Sequence, residues 1–195
     1  MKSIRILSPD LALLAEIDDY ESLQFERQYH SAGSFELRIN SHKKHVDKLQ
    51  KKNLIMLDNN PNKVGIIRSR EIGLDESGKQ SETWIITGET LGGITKQRVA
   101  IAPVGQLYDT ATGLPETVMK HYVNNHLVNP TDIRRKMSQL VLAPDLNRGK
   151  SSITFESRHM ILHNVLEEIS KLSGVGWEVH MNFAAKKWEF DCYEG

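Results

Sequence analysis

The sequence has a single cysteine, Cys192, so no intrachain disulfide can form. This argues against a disulfide-stapled secreted scaffold and fits synthesis in a reducing cytoplasm. Charge of one sign is also missing. Lys plus Arg number 25 and Asp plus Glu number 25, giving a formal net charge of +0, so no sequence-wide field draws the chain to nucleic acid or anionic lipid. No apolar stretch approaches membrane-spanning length, and no membrane anchor is expected. The start, MKSIRILSPDLALLAEIDDY, has an apolar patch at Leu11 to Ala15, but Asp10, Glu16, Asp18 and Asp19 interrupt any signal-peptide core. What is present suffices for a fold. With 195 residues, 39% of them hydrophobic, the chain can bury the core of one ordinary domain or two small ones.

The pattern predicts an α+β chain dominated by β-structure, with antiparallel, barrel-like domains and two or three helices. Residues 1–95 read as a β domain. Ile4 and Ile6 share a face, SPD turns, and Leu23 and Phe25 alternate with polar partners up to Arg27. After a turn or bulge at Gly33, Phe35, Leu37 and Ile39 alternate with Glu36 and Arg38, as in a half-buried antiparallel strand. SHKKHVDKLQKK places Val46 and Leu49 at helical spacing behind Ser41, predicting a short solvated helix. LIMLD, the turn NNPNK, VGIIRSREIGL, the reversal DESGK and SETWIITGE continue as a meander.

Residues 96–195 read as a second α+β domain. KQRVAIAPVGQLYDTATGLP is expected to be an aperiodic connection. A helix near 116–127 follows Pro115, with Val118, Tyr122, Val123 and Leu127 on one face. MSQLVLAP and SSITFES are short strands, with DLNRGK a turn. A second helix near 159–173 carries Ile161, Leu162, Val165, Leu166, Ile169 and Leu172, with Ser157 as cap and Gly174 as left-handed stop. A C-terminal hairpin puts Trp177, Val179 and Met181 on one face of its first arm and Trp188, Phe190 and Cys192 on one face of its second. Because a strand ends close to the terminus, the sequence reads as a fragment of a longer protein or a domain continued by a partner.

Motifs that carry chemistry are weak throughout. GETLGGIT, residues 88–95, matches the phosphate loop GxxxxGK[ST] at Gly88, Gly93 and Thr95 but has Ile94 in place of the lysine, with Lys96 displaced by two. A strand end and turn is the expectation, with no nucleotide. His159, His163 and Glu167, each four apart, would align on a helix face, yet there is no HExxH and no second ligand cluster. His42 with His45, and His121 with His126, are weaker pairs. Cys192 lies in a strand, no GxSxG is present, and the carboxylate pairs Asp18–Asp19 and Glu167–Glu168 point to different faces or to solvent. Catalytic, cofactor and metal sites are therefore none, and no enzyme is expected. RRK at 134–136 and NRGK at 147–150 lack interleaved aromatics and predict decorated loops without specific nucleic-acid binding.

The order of features resembles a known family. LQFERQYHSAGSFELRI, KNLIMLD and the block VGIIRSREIGLDESGKQSETWIITGETLGGITKQRVAIAP are similar to the N-terminal part of tail-hub proteins of long-tailed bacteriophages and prophages. The block runs strand, acidic turn with glycine, strand, then G-x-x-L, a basic residue and a proline: Glu71 to Leu74, Asp75 to Gly78, Trp84 to Thr87, Gly88 to Leu91, Arg98 and Pro103. HYVNNHLVNPTDIRRKM is similar to the family's helix and loop. The resemblance implies a structural protein of the baseplate or tail tip. Its β-domains would assemble as a trimeric ring that continues the tail tube and contacts other tail proteins, located in the virion tail and in the bacterial cytoplasm during assembly. Two other readings stand beside it: a β-rich peptide- or carbohydrate-binding module with a cleft at Trp177 and Trp188, and, more remotely, a cell-wall hydrolase.

Overall fold

The computed structural model describes residues 2–74 and 80–195; the expected reversal at Asp75 to Gly78 lies outside them. The chain divides into two compact units. The first comprises Met1–Arg27 and Ala32–Leu91, the second Gln28–Ser31 and Gly92–Gly195.

The first unit is one seven-stranded sheet, antiparallel throughout. Its strands are β1 (Ile4–Leu7), β2 (Leu13–Ile17), β3 (Ser22–Phe25), β4 (Ser34–Asn40), β5 (Leu54–Leu57), β6 (Val64–Leu74) and β7 (Gln80–Thr90), in spatial order β2-β1-β5-β6-β7-β4-β3. Alternation decides the face: Phe35, Leu37 and Ile39 of β4 are buried while Ser34 and Arg38 are exposed. One cluster takes Ile4 and Ile6 from β1, Ala15 and Ile17 from edge strand β2, Ile55 from β5, Ile67 from β6 and Ile86 from β7. Leu23 and Phe25 of the other edge strand pack on it. A sheet whose two edges feed one core has curled on itself, which is the barrel-like form expected.

Three local expectations change here. Leu13–Ile17, which overlaps the apolar patch at Leu11 to Ala15, is a strand: Ala15 and Ile17 enter the core while Leu13 and Leu14 stay exposed. The turn before it is closed by Ser8 N–H to Ala12 O at 2.8 Å and by Leu11 at φ 66°. Arg27 lies beyond β3. SHKKHVDKLQKK makes only a 3-10 turn over Val46–Lys48, because His45 at φ 68° breaks the helical path and Asn40 Oδ1 takes the His42 N–H. Val46 and Leu49 are buried nonetheless.

The second unit contains two sheets and two helices. β8 (Asp109–Gly113) pairs antiparallel with β10 (Ile153–Ser157). β11 (Gly176–Asn182) and β12 (Lys187–Tyr193) form the C-terminal hairpin, and β9 (Leu140–Leu142) runs parallel to β12. β8 falls inside the segment expected to be a connection. Its small residues DTATG carry no apolar alternation, and its strand geometry comes from pairing with β10.

α1 (Pro115–Val123) starts with proline at its first position, where the missing N–H removes nothing. A π-helical turn, Asn124–Val128, continues it, closed by Asn129 N–H to Asn124 O at 2.7 Å. α2 (Leu162–Ser173) stops at Gly174, φ 74°, as its sequence requires. Its start is later than expected: His159 has φ 57°, Ser157 makes no cap, and the stripe narrows to Leu162, Val165, Leu166 and Ile169. Ile161 and Leu172 are exposed. Each fully buried member of the stripe contributes roughly 1.5–3 kcal/mol. On the hairpin, Trp177 stacks on Phe190 with centroids 5.9 Å apart, and all six predicted inward residues are buried.

Candidate functional site

Three polar clusters lie wholly or partly buried in the second unit. The first centres on Asp109 at the start of β8, 2% exposed. Its Oδ1 is 2.9 Å from His121 Nε2 and its Oδ2 is 2.7 Å from His126 Nε2. Residues five apart on an α-helix diverge by about 140°. The π turn inserts one residue, which swings His126 toward the angular place of an i+4 neighbour, so both imidazoles reach one carboxylate. Burial alone would raise the Asp109 pKa. The hydrogen bonds and charges of the two histidines outweigh it and hold the carboxyl well below its ordinary range. Between them Tyr122 donates its hydroxyl to Asp109 O at 2.7 Å and Phe155 O at 3.0 Å, and burial, with the Asp109 and Glu156 charges, pushes its pKa up.

The second cluster joins Glu116 and Lys120 of α1 to Asp191 of β12. Lys120 Nζ lies 2.6 Å from Glu116 Oε1 and 3.3 Å from Asp191 Oδ1. Arg148 reaches Glu116 Oε1 at 3.1 Å, Asp191 Oδ1 at 2.9 Å, and the Cys192 carbonyl. Glu116 is fully buried, and its Oε2 also accepts the Arg148 backbone N–H at 2.8 Å. The basic group at 147–150 is therefore tied through Arg148 to carboxylates instead of awaiting phosphate.

The third holds the strap Gln28–Ser31. Tyr29 donates its hydroxyl to Gly174 O at 3.0 Å, and Trp177 Nε1 donates to His30 O at 3.0 Å. Hydroxyl hydrogens fix the ring tautomers. Thr95 gives its one hydrogen to Gly92 O, so it accepts from His163 Nδ1 at 3.0 Å, leaving His163 Nε2 to accept from Ser31 Oγ at 2.9 Å. Ser170 likewise donates to Val175 O and accepts from His30 Nδ1 at 2.7 Å.

A serine hydroxyl on an imidazole Nε2 is half of a nucleophile–base pair, yet the rest of the machinery is different here. A neutral threonine replaces the carboxylate on Nδ1, and Glu167 Oε2 sits 3.7 Å from the Nε2 side. His163 is 5% exposed with its ring edge-on to Trp177, and among the described residues neither the cavity beside Phe25 nor the one beside Ile101 is lined by Ser31 or His163. The arrangement holds the strap.

Among the residues weighed for chemistry, most are separated or already engaged. GETLGGIT is the end of β7 followed by a 3-10 helix, Leu91–Gln97. Gly88 is needed for packing: a Cβ there would fall 2.1 Å from Ile66 O and 2.4 Å from Phe35 Cε1. Ile94 and Thr95 are buried, while Lys96 is exposed. His159 precedes α2 and shares no helical face with His163, and Glu167 pairs with Lys171, which lowers its pKa. His42 faces Glu82 at 3.9 Å on the surface, and Asp19 pairs with Lys43. Glu168 is exposed.

Arg134 pairs with Asp132 at 2.8 Å, and Arg135 donates to Val99 O. Cys192 is buried, and burial pushes its thiol pKa up. Trp177 and Trp188 are 1% and 8% exposed, which removes the proposed aromatic cleft. Among the described residues no group of three His, Cys, Asp or Glu side chains could hold a metal ion, and no helix is long and apolar enough to cross a membrane.

Among the described residues two cavities are sizeable. One, about 760 Å³, lies over β3, β4 and β7 beside Phe25, Glu36 and Glu89. The other, about 570 Å³, is lined in the second unit by Ile101, Pro103, Val104, Asp109, His126 and Asp132, among others.

Known proteins share this architecture. The structure is similar to the tail protein from Neisseria meningitidis MC58, with a TM-score of 0.55 and 16% identity over 97% of this chain. It is also similar to prophage tail protein gp18 from Listeria monocytogenes EGD-e, with a TM-score of 0.58 and 10% identity over 100% of this chain. The chain spans about half the length of those structures, 50% and 51% respectively. At these identities the likeness establishes the fold. No curated protein sequence matches the chain. The sequence profile described as Siphovirus ReqiPepy6 Gp37-like protein matches residues 3–195, and the chain belongs to that family of phage tail proteins.

Proposed function

We propose that this tail protein is a structural subunit of the baseplate or tail-tip hub, assembling from like copies as a ring that continues the tail tube. The observation that carries this reading is the sheet of the first unit. It curls over one core but ends on two strand edges, β2 and β3, that have no further partner strand among the described residues. An unpaired edge exposes a row of backbone donors and acceptors, and β2 adds Leu13 at 59% and Leu14 at 38% exposure. Identical subunits related by rotation can cover both edges at once, each β2 side meeting the β3 side of the next. Membership of a phage tail family supports the setting. Support for a non-enzymatic role comes from the buried polar clusters, whose groups are taken up by one another.

In this reading the chain works by presenting surfaces, to its own copies around the ring and to other tail proteins along the tail, and assembles in the bacterial cytoplasm. Electron microscopy of the purified protein tests it. Class averages showing closed rings with a central channel are expected; a field of isolated two-unit particles at every concentration contradicts the proposal.

A further inference from the structure

The Asp109 cluster leaves one nitrogen unused. His126 is 3% exposed, and its Nε2 donates to Asp109 Oδ2 at 2.7 Å, because an ionised carboxylate can only accept. In the neutral ring Nδ1 is then an acceptor, and among the described residues nothing donates to it. Nor is it sealed off. Among the described residues the buried side-chain atoms without a partner are Trp84 Nε1, Ser157 Oγ, His180 Nδ1 and Trp188 Nε1. His126 Nδ1 is therefore reached by solvent, and the opening that His126 lines is the cavity of about 570 Å³ in the second unit.

The same cavity holds a cation without a counter-charge. Arg135 is half-buried, donates to Val99 O, and meets no carboxylate among the described residues. Its neighbour Arg134 takes both oxygens of Asp132, and two imidazoles take those of Asp109, so each carboxylate of the lining is already answered. What remains is a guanidinium, whose planar fork fits a carboxylate. Ile101, Ala102, Pro103 and Val104 supply an apolar part of the lining. Ile101 and Ala102 share no backbone hydrogen bond with another segment among the described residues.

We infer that this cavity takes the carboxyl end of a peptide chain whose last residue is apolar, with the carboxylate on Arg135, a backbone N–H on His126 Nδ1 and the side chain against Ile101 to Val104. A cation, a hydrogen-bond acceptor and an apolar wall are the three complements of such an end. A small free acid would leave His126 Nδ1 unmatched, and a basic segment would meet Arg135 as a like charge. The volume lies within the usual span of ligand sites, roughly 300–1,000 Å³. The inference goes beyond the ring reading and does not depend on it, since every group named belongs to the second unit of a single chain.

The test titrates the protein, carrying nitrogen-labelled histidine, with the peptide acetyl-Gly-Gly-Val-Leu as free acid and as C-terminal amide, followed by NMR. The free acid should shift the His126 Nδ1 resonance, and the amide should bind at least about tenfold more weakly. Arg135→Gln should weaken the free acid by a similar factor and leave the amide unchanged. Val104→Glu, at a fully exposed position, should also weaken the free acid, by charge repulsion, while near-UV circular dichroism matches the wild type. Leu172→Glu, exposed on α2, should change nothing. Acid and amide binding alike, both Arg135→Gln and Val104→Glu binding like the wild type, or a free acid that leaves His126 Nδ1 unmoved at millimolar concentration overturns the inference. Isocaproate, which has the carboxylate and apolar stem without the N–H, should bind at least about tenfold more weakly than the peptide; equal binding overturns the chain-end assignment in favour of a free acid.

Discussion

Replacing Asp109 by Asn tests the account of the second unit most sharply. The carboxylate accepts from two imidazole N–H groups at 2.9 and 2.7 Å in a setting where it is 2% exposed. Asparagine keeps one acceptor oxygen and puts an NH2 donor where the other stood, so one histidine faces donor against donor. Hydrogen bonds to a charged group are worth about 1.5–3 kcal/mol each, and a buried donor left unmade costs about 1–3 kcal/mol. Some of this is recovered when the displaced histidine changes tautomer, and the net loss should be about 2–4 kcal/mol. For a chain of this size that lowers Tm by about 4–16 °C.

The pH dependence has a definite sign. A carboxyl whose folded pKa is depressed contributes stability above its unfolded value and loses it as the pH falls below that value toward the folded one. The difference between wild type and D109N, measured by calorimetry, should be full at pH 7 and shrink steadily below the ordinary carboxyl value of 3.8. A D109N protein within about 0.5 kcal/mol of wild type at pH 7, or a difference that does not change with acid, would refute the bridging role.

Other expectations follow from the same contacts. Gly88→Ala forces a Cβ to within 2.1 Å of Ile66 O, so it should destabilise the first unit by about 2–4 kcal/mol; trimming Phe35 should not restore it, since the backbone clash persists. Calorimetric titration with MgATP should show no micromolar binding in either protein. Glu116→Ala leaves Lys120 and Arg148 facing one carboxylate fewer and should cost about 3–5 kcal/mol, whereas the paired change Glu116→Leu with Lys120→Met should cost less, as apolar replacement of a buried ion pair often does. Cys192 should resist a thiol reagent in the native protein and react promptly in denaturant, given its burial and raised pKa.

Much of the fold was legible where burial follows a simple period. Phe35, Leu37 and Ile39, the long pair β6 and β7, the helix stripe from Leu162 to Ile169 and the six inward residues of the C-terminal hairpin all read directly from alternation or helical spacing. Legibility ended where pairing, not pattern, makes the element. β8 has only small and polar residues, and β2 shows its leucines to solvent while burying Ala15 and Ile17. Isolated backbone strain also defeats periodicity, since His45 and His159 at positive φ cancel helical turns that Val46, Leu49 and His163 suggest. The polar clusters were hidden for a further reason. Their members come from distant parts of the chain, as Ser31, Thr95 and His163 do, or sit at a spacing that only a π turn brings together, as His121 and His126 do. The buried, mutually engaged polar groups are in keeping with the proposed reading of a protein that acts through its surfaces.

The absolute mass in solution, by light scattering coupled to size exclusion over a wide concentration range, tests that reading most directly. A species of three times the 22.2 kDa chain mass that persists on dilution is the predicted result, and a strict monomer at the highest concentration would contradict it.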